Sequence, residues 1–314
     1  MIQKIALGKT EAQVSELCLG AMYFGSKLNA RDSALVLDTY VDHGGSFLDT
    51  ANIYARWIEG CDGLESERFL GDWFERTGKR ADIFVATKVG FDNVAVGFGL
   101  RRHQIEASCE ASLKLMKTDY IDLMYAHTDD RETPLEETLE AFARLHRAGK
   151  VRYLGASNYV PWRLEQARML CENNRWPGYV CMQQRLTYLR PVPVPLDRLH
   201  TEVSDDVMDY AVDSGLTILA YSPLMGGYYN HQDERPVPKL YDGDFNRPRL
   251  AALNEVAREI EGITPNQLVL TWMRQQAAPV IPLISGSSRQ QLVENIQCLN
   301  YRLSPAQLER LNQA

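Results

Sequence analysis

The strongest constraint in this sequence is a repeating alternation of strand-like apolar runs with amphipathic stretches. The runs are SELCLGAM (15–22), SFLDTA (46–51), DIFVATKV (82–89), YIDLMYAH (120–127), VRYLGAS (151–157), YVCMQQ (179–184), LTILAYS (216–222) and PVIPLIS (279–285). Most are continuous rather than alternating in polarity, as strands buried on both faces require. Helical patterns separate them over 65–78, 102–117, 133–150, 161–174, 204–214, 249–260, 264–277 and 288–297. Gly78 stops the first of these. Ile105, Ala107, Cys109, Ser112, Leu113 and Met116 form the apolar stripe of the second. Thr133 as N-cap, Pro134 at the first helical position and Glu136 start the third, which ends at Gly149.

Strand–helix units in this number predict an α/β chain with a parallel sheet. Right-handed crossovers close eight such units into a (β/α)8 TIM barrel. A short N-terminal β-hairpin and extra C-terminal helices, the last capped by Ser304 and Pro305, complete the expectation, with residues 1–314 as a single domain. A doubly wound sheet is the rival. It would carry a phosphate loop near its start, and no G-x-G-x-x-G occurs in the sequence.

The bulk numbers narrow the partners. A net charge of −7 over 314 residues argues against nucleic acid or an anionic membrane, which attract a basic face. Cys18, Cys61, Cys109, Cys171, Cys181 and Cys298 show no metal-ligand spacing and read as reduced residues. Met1 runs into Ile2–Gln3–Lys4 without the basic and apolar regions of a secretory leader, so a cytoplasmic protein is expected. No apolar run approaches the length of about 20 residues that spans a bilayer.

In barrels, chemistry collects at the carboxyl ends of the strands. There the sequence places Asp49 with Tyr54 shortly after, then Lys88, His127, Ser157 with Asn158, Gln183, Tyr221, and Ser285–Gly286–Ser287–Ser288. Each has a plain structural reading: Asp49 as a helix cap, Lys88 as a snorkelling lysine, His127 as a satisfied rim histidine. Their convergence on one face favours function. An Asp, Tyr, Lys and His without a nucleophile or metal cluster suit proton transfer to a carbonyl oxygen. A tyrosine of ordinary pKa, about 10, is a poor acid, and a nearby ammonium is expected to bring it closer to use. Asp49 would orient Lys88, and His127 would place the substrate oxygen. Such a group supplies no hydride, which requires a nicotinamide cofactor. Ser157, Asn158 and Gln183 suit its carboxamide, and the Tyr221 ring offers a surface for stacking.

The strings FLDTANIY (47–54), ATKVG (86–90), SLKLMKTDYIDLMYAH (112–127), TPLEETLEAFARLHRAGKVRYLGASNY (133–159), LAYSPL (219–224) and QLVENI (291–296) resemble the aldo/keto reductases over nearly the whole chain. The likeness is to the bacterial aryl-alcohol-dehydrogenase-like and potassium-channel β-subunit-like branch. It implies Tyr54 as proton donor, with Asp49, Lys88 and His127 completing a tetrad. It also implies NADPH, with NADH left open, held by Gly20, Ala21, Met22, Asp49, Ser157, Asn158, Gln183, Tyr221, Ser222 and Leu224. The adenosine end falls to Ser285, Gly286, Ser287, Arg289, Gln291, Glu294 and Asn295, and backbone N–H groups at that helix start suit a phosphate.

Three departures stand out. Ser285 occupies the usual glycine position of the phosphate loop. MGGYYNHQ (225–232) lacks the Gly-Lys common after YSPL. A serine marks the 2′-phosphate position, leaving Arg289 as the nearest cation. The expected substrate is a small aldehyde, ketone or sugar carbonyl meeting Tyr23, Phe24, Trp57, Ile58 and His127, and no metal is expected. A homo-oligomer is compatible with the sequence. The alternatives are a channel β-like regulatory subunit with little turnover, disfavoured by the intact His127, and a barrel glycosidase, which needs a second carboxylate beside Asp49; Glu65 and Asp130 are weak candidates.

Overall fold

The computed structural model describes residues 1–193 and 200–314. An antiparallel hairpin comes first, β1 (Lys4–Ala6) against β2 (Gln13–Ser15), with Ile5 opposite Val14. Eight parallel strands then close a barrel: β3 (Cys18–Gly20), β4 (Phe47–Asp49), β5 (Phe84–Val89), β6 (Ile121–Ala126), β7 (Val151–Ser157), β8 (Tyr179–Arg185), β9 (Thr217–Tyr221) and β10 (Val280–Ile284). The ring shuts where Leu283 and Ile284 meet Cys18 and Leu19. Every barrel strand falls inside a run expected from the sequence or overshoots it by one residue. The fold is a (β/α)8 TIM barrel with a small hairpin, as expected.

The helices are α1 (Ala30–Asp42), α2 (Glu65–Thr77), α3 (Arg102–Leu115), α4 (Leu135–Arg147), α5 (Pro161–Asn174), α6 (Asp205–Ser214), α7 (Asn246–Glu259), α8 (Pro265–Arg274), α9 (Arg289–Ile296) and α10 (Pro305–Gln313). Among the described residues, none is long and apolar enough to cross a membrane. Helix α1 was absent from the sequence expectation. Its start is nonetheless written in Asn29, whose side chain accepts from the Asp32 N–H at 3.0 Å. Its inner face is Val36, Leu37 and Tyr40.

Three local expectations need correcting. Thr133 does not cap α4; its hydroxyl donates to Asp130 at 2.6 Å, and Pro134 stands at the cap. Helix α7 begins at Asn246 rather than 249, because Pro248 lies within the first turn, where a missing N–H costs nothing. Ala107 lies on the exposed side of α3, whereas Ile105, Cys109, Ser112 and Leu113 are buried.

Inside the barrel, Leu7, Val14, Cys18, Phe47, Ala86, Leu123, Tyr125, Cys181, Leu219 and Ile281 form a continuous apolar filling. Burial of each large side chain contributes about 1.5–3 kcal/mol, so this interior is a core and not a channel. The hairpin seals its amino end: Gly8 N–H donates to Thr217 Oγ1 at 2.8 Å, at the first residue of β9. Also near that end, Asp122 on β6 accepts from Arg80 Nη2 (2.9 Å), Arg152 Nη1 (2.9 Å) and the Val85 N–H (3.0 Å). Both guanidiniums lie over the Tyr120 ring, at 4.1 and 3.7 Å from its centroid. The carboxyl ends of the strands are left for chemistry.

Candidate active site

At the carboxyl end of β4, Asp49 is 1% exposed, and Lys88 on the neighbouring β5 is 0% exposed. Lys88 Nζ donates to Asp49 Oδ1 at 2.5 Å, to the Thr50 carbonyl at 2.7 Å and to the Tyr54 hydroxyl at 2.6 Å. All three ammonium hydrogens therefore have acceptors. The second carboxylate oxygen of Asp49 accepts from Gln183 Nε2 at 2.7 Å. An ion pair this deep needs every bond filled to repay its desolvation, and this one is filled.

Beside Lys88, in register on β6, lies the ring of Tyr125, its centroid 5.9 Å from Nζ. That ring fits because residue 155 is glycine: a Cβ there would stand 2.6 Å from ring carbons of Tyr125.

The phenol of Tyr54 is held less completely. It donates to Asp49 Oδ1 at 3.3 Å, whereas an O–H···O bond ordinarily spans about 2.5–3.0 Å. Its hydrogen can turn toward another oxygen at little cost. Burial, and then the Asp49 carboxylate, push this phenol well above its ordinary pKa. This corrects the expectation that Lys88 would bring it down: burial and the neighbouring carboxylate outweigh the ammonium, and the resting phenol keeps its proton. Burial draws the Lys88 ammonium below its usual value, with Asp49 opposing.

His127 follows β6 and meets Tyr54 edge-on, ring centroids 6.1 Å apart. Its Nδ1 is buried without a partner among the described residues. Burial and the Lys88 charge hold the imidazole well below its usual pKa, so the ring is neutral at pH 7. Nδ1 then serves best as the bare nitrogen, which leaves Nε2–H as the donor. Phe91, half-buried, packs edge-on against this ring at 4.5 Å, and Phe98 packs against Phe91 at 6.4 Å.

Neither phenylalanine was singled out in the sequence; both lie in the loop after β5, outside any motif. That loop is closed on itself by paired Asn93–Gly97 backbone bonds. Two contacts pin it to the loop after β4: Asn93 Nδ2 to the Asn52 carbonyl, and the Arg56–Asp92 ion pair at 2.9 Å.

Asn158, just past β7, has φ +62°, an arrangement that needs support from its surroundings. Its amide Nδ2 donates to the His127 carbonyl (3.0 Å) and Ser157 Oγ (3.1 Å). Its Oδ1 accepts from the Tyr221 hydroxyl (2.9 Å) and the Thr201 N–H (3.1 Å). The amide is saturated, so Asn158 ties three loops together. The open groups beside it are the Ser157 hydroxyl hydrogen and Gln183 Oε1, neither with a partner among the described residues. One donor and one acceptor side by side complement a primary carboxamide.

At β3, Ala21 is buried, and its N–H donates to the Asp49 carbonyl at 2.8 Å; Gly20 and Met22 flank it, half-buried. Ser222, φ +55°, and Leu224 follow β9.

The far end of the expected cofactor track gathers around α9. Asn295 Nδ2 donates to the Ser285 carbonyl at 2.8 Å. Gln291 Oε1 accepts from the Ser287 N–H and hydroxyl at 2.9 and 2.8 Å. Gly286 is required, since a Cβ would stand 2.9 Å from the Leu292 nitrogen. Glu294 is engaged by Asn230 (2.6 Å) and Thr264 (3.1 Å). The N–H groups of Arg289 and Gln290 and the exposed Arg289 guanidinium have no acceptor among the described residues, which fits a phosphate.

Of the residues expected to meet substrate, Trp57 is 59% exposed, and Tyr23 and Ile58 are half-buried. Phe24 is a correction: it is 3% exposed and packs edge-on against Phe69 at 5.4 Å, so it belongs to the core.

Residues 16–314 match the profile of the aldo/keto reductase family. A Bacillus subtilis protein described as the uncharacterized oxidoreductase YrpG is 31% identical over 98% of this chain and 94% of its own length. The Schizosaccharomyces pombe aldo-keto reductase yakc [NADP(+)] is 30% identical over 95% of this chain and 86% of its own. Norsolorinic acid reductase A of Aspergillus parasiticus is 26% identical, over 96% and 78%. With the profile covering nearly the whole barrel and an oxidoreductase at 31% identity along it, the chain belongs to the aldo/keto reductase family.

Proposed function

We propose that the protein is an NADPH-preferring carbonyl reductase that interconverts an aldehyde, ketone or sugar carbonyl and its alcohol, with Tyr54 as proton donor. The observation that carries this reading is the Lys88 ammonium 2.6 Å from the Tyr54 hydroxyl oxygen and 2.5 Å from the Asp49 carboxylate.

When bound, a reduced nicotinamide supplies the hydride. The remaining work falls to the chain. His127, neutral, donates Nε2–H to the substrate oxygen and fixes its place. Tyr54 turns its loosely held hydrogen to that oxygen and gives it up as charge develops there. Lys88 already donates to the phenol oxygen and stabilises the phenolate left behind. Asp49 keeps Lys88 charged and aimed. Ser157 and Gln183 present the donor and acceptor for a carboxamide, the Tyr221 ring a stacking surface, and Arg289 with the first N–H groups of α9 a site for phosphate. Phe91, Phe98 and Trp57 give the substrate side an aromatic character.

Tyr54→Phe is expected to lower turnover of carbonyl substrates by about 10²–10⁴-fold while NADPH binding, followed by quenching of protein fluorescence, stays within about twofold. Near-normal turnover in this variant defeats the proton-donor assignment. The preference for NADPH rests on Arg289, and the yeast relative named for NADP(+) supports it. Arg289→Ala is expected to weaken NADPH about tenfold and NADH little; equal weakening of both would show that the guanidinium does not read the 2′-phosphate.

A further inference from the structure

One charged group beside the site has no part in the chemistry above. Arg185 is the last residue of β8 and pairs in register with Tyr221, the last residue of β9. Its guanidinium lies over the Tyr221 ring, 5.6 Å from the centroid. The head group also donates to Glu202 at 3.2 Å, and both side chains are about three-quarters buried, at 23% and 25% exposure. Arg185 is held at its backbone too. Its N–H donates to the Thr201 carbonyl at 3.0 Å, and its carbonyl accepts from the Val203 N–H at 2.8 Å. Thr201 in turn donates twice to Asn158, through its N–H and its hydroxyl. The cation is therefore fixed beside the ring by the same segment that fixes the loop after β7.

We propose that Arg185 sets the relative affinity of the site for the two redox forms of its nicotinamide cofactor, favouring the neutral reduced ring over the cationic oxidised one. This rests on the reading of Tyr221 as the surface on which the nicotinamide stacks. A guanidinium stays charged at any working pH, so a positive charge always stands beside that surface. The oxidised nicotinamide carries one positive charge and the reduced ring none; only the oxidised form meets a like charge, in surroundings where screening is weak. Glu202 offsets this in part. The guanidinium is nevertheless the member of the pair lying over the ring. The consequence is a bias toward carbonyl reduction built into cofactor binding, separate from the proton relay.

The test needs no turnover. The whole protein and its Arg185→Met, Arg185→Lys and Glu202→Gln variants are titrated with NADPH and with NADP+ separately, following protein fluorescence, and the ratio of the two dissociation constants is compared. Loss of stacking or packing weakens both forms alike and cancels in the ratio. Arg185→Met is expected to narrow the preference for NADPH by about fivefold, chiefly through tighter NADP+ binding. Arg185→Lys should keep most of the preference. Glu202→Gln should widen it, because the counter-charge is gone. An unchanged ratio in both Arg185→Met and Glu202→Gln, or a shift in the same direction in both, overturns the proposal. No saturable quenching by either form in the parent protein overturns the cofactor reading itself.

Discussion

Two ion clusters, each built on a buried carboxylate, occupy different ends of the same barrel, and they are finished to different degrees. Near the amino end, Asp122 accepts from two arginines and a backbone N–H, and both arginines are stacked on Tyr120. At the carboxyl end, Lys88 and Asp49 are equally well paired. Yet around them stand a phenol with a 3.3 Å bond, a histidine nitrogen with no partner, and an amide oxygen and a hydroxyl hydrogen left open. A cluster that only stabilises can complete its bonds. One that must receive a ligand keeps some unmade, and here the open groups gather around the paired charges.

Substitutions can break this contrast. Lys88→Met should lower turnover about 10³-fold, since the phenolate loses its stabiliser, and should also lower the melting temperature because Asp49 is left buried and unpaired. Adding Asp49→Asn should recover the stability and not the turnover; recovery of turnover would mean the pair is structural. Asp122→Ala, measured by denaturant unfolding, should cost about 3 kcal/mol and leave turnover per folded molecule unchanged. A matching loss of turnover would erase the difference between the ends.

A smaller and sharper test uses Glu67, a fully buried carboxyl on α2. It accepts from Thr87, the neighbour of Lys88, at 2.6 Å, and its second oxygen has no partner among the described residues. Burial raises its pKa above the usual value, so ionisation is disfavoured in the folded state. Its contribution to stability is present at low pH and lost as pH rises from the unfolded value through the folded one. Glu67→Gln should therefore gain stability on the parent protein at pH 8, and less at pH 5. Equal effects at both pH values would show that the group is ionised throughout.

Much of this was legible in the sequence because it depends on local pattern. Continuous apolar runs gave all eight barrel strands, and the position of Asp49, Lys88 and His127 at their ends put them on one face before any coordinate was known. What escaped depends on contacts between loops. Phe91 matters because it packs on His127, and Arg185 because β8 lies beside β9; neither fact leaves a spacing signal. The Thr133 error has the same origin: the helix starts one residue later, with Pro134 at its cap, and the hydroxyl is turned to Asp130 in the loop before it. Helix α1 was different, since Asn29 and its apolar face were there to be read. The direction of the Tyr54 shift could not be read, because it turns first on how deeply the phenol is buried and then on the carboxylate it touches.

Gly155 carries a lesson for anyone redesigning this enzyme. It touches no reacting group, but it is the empty volume into which the Tyr125 ring settles, and on that ring's far side sits the lysine amine. A single added methyl would collide with that ring, the aromatic wall beside the cation the chemistry leans upon.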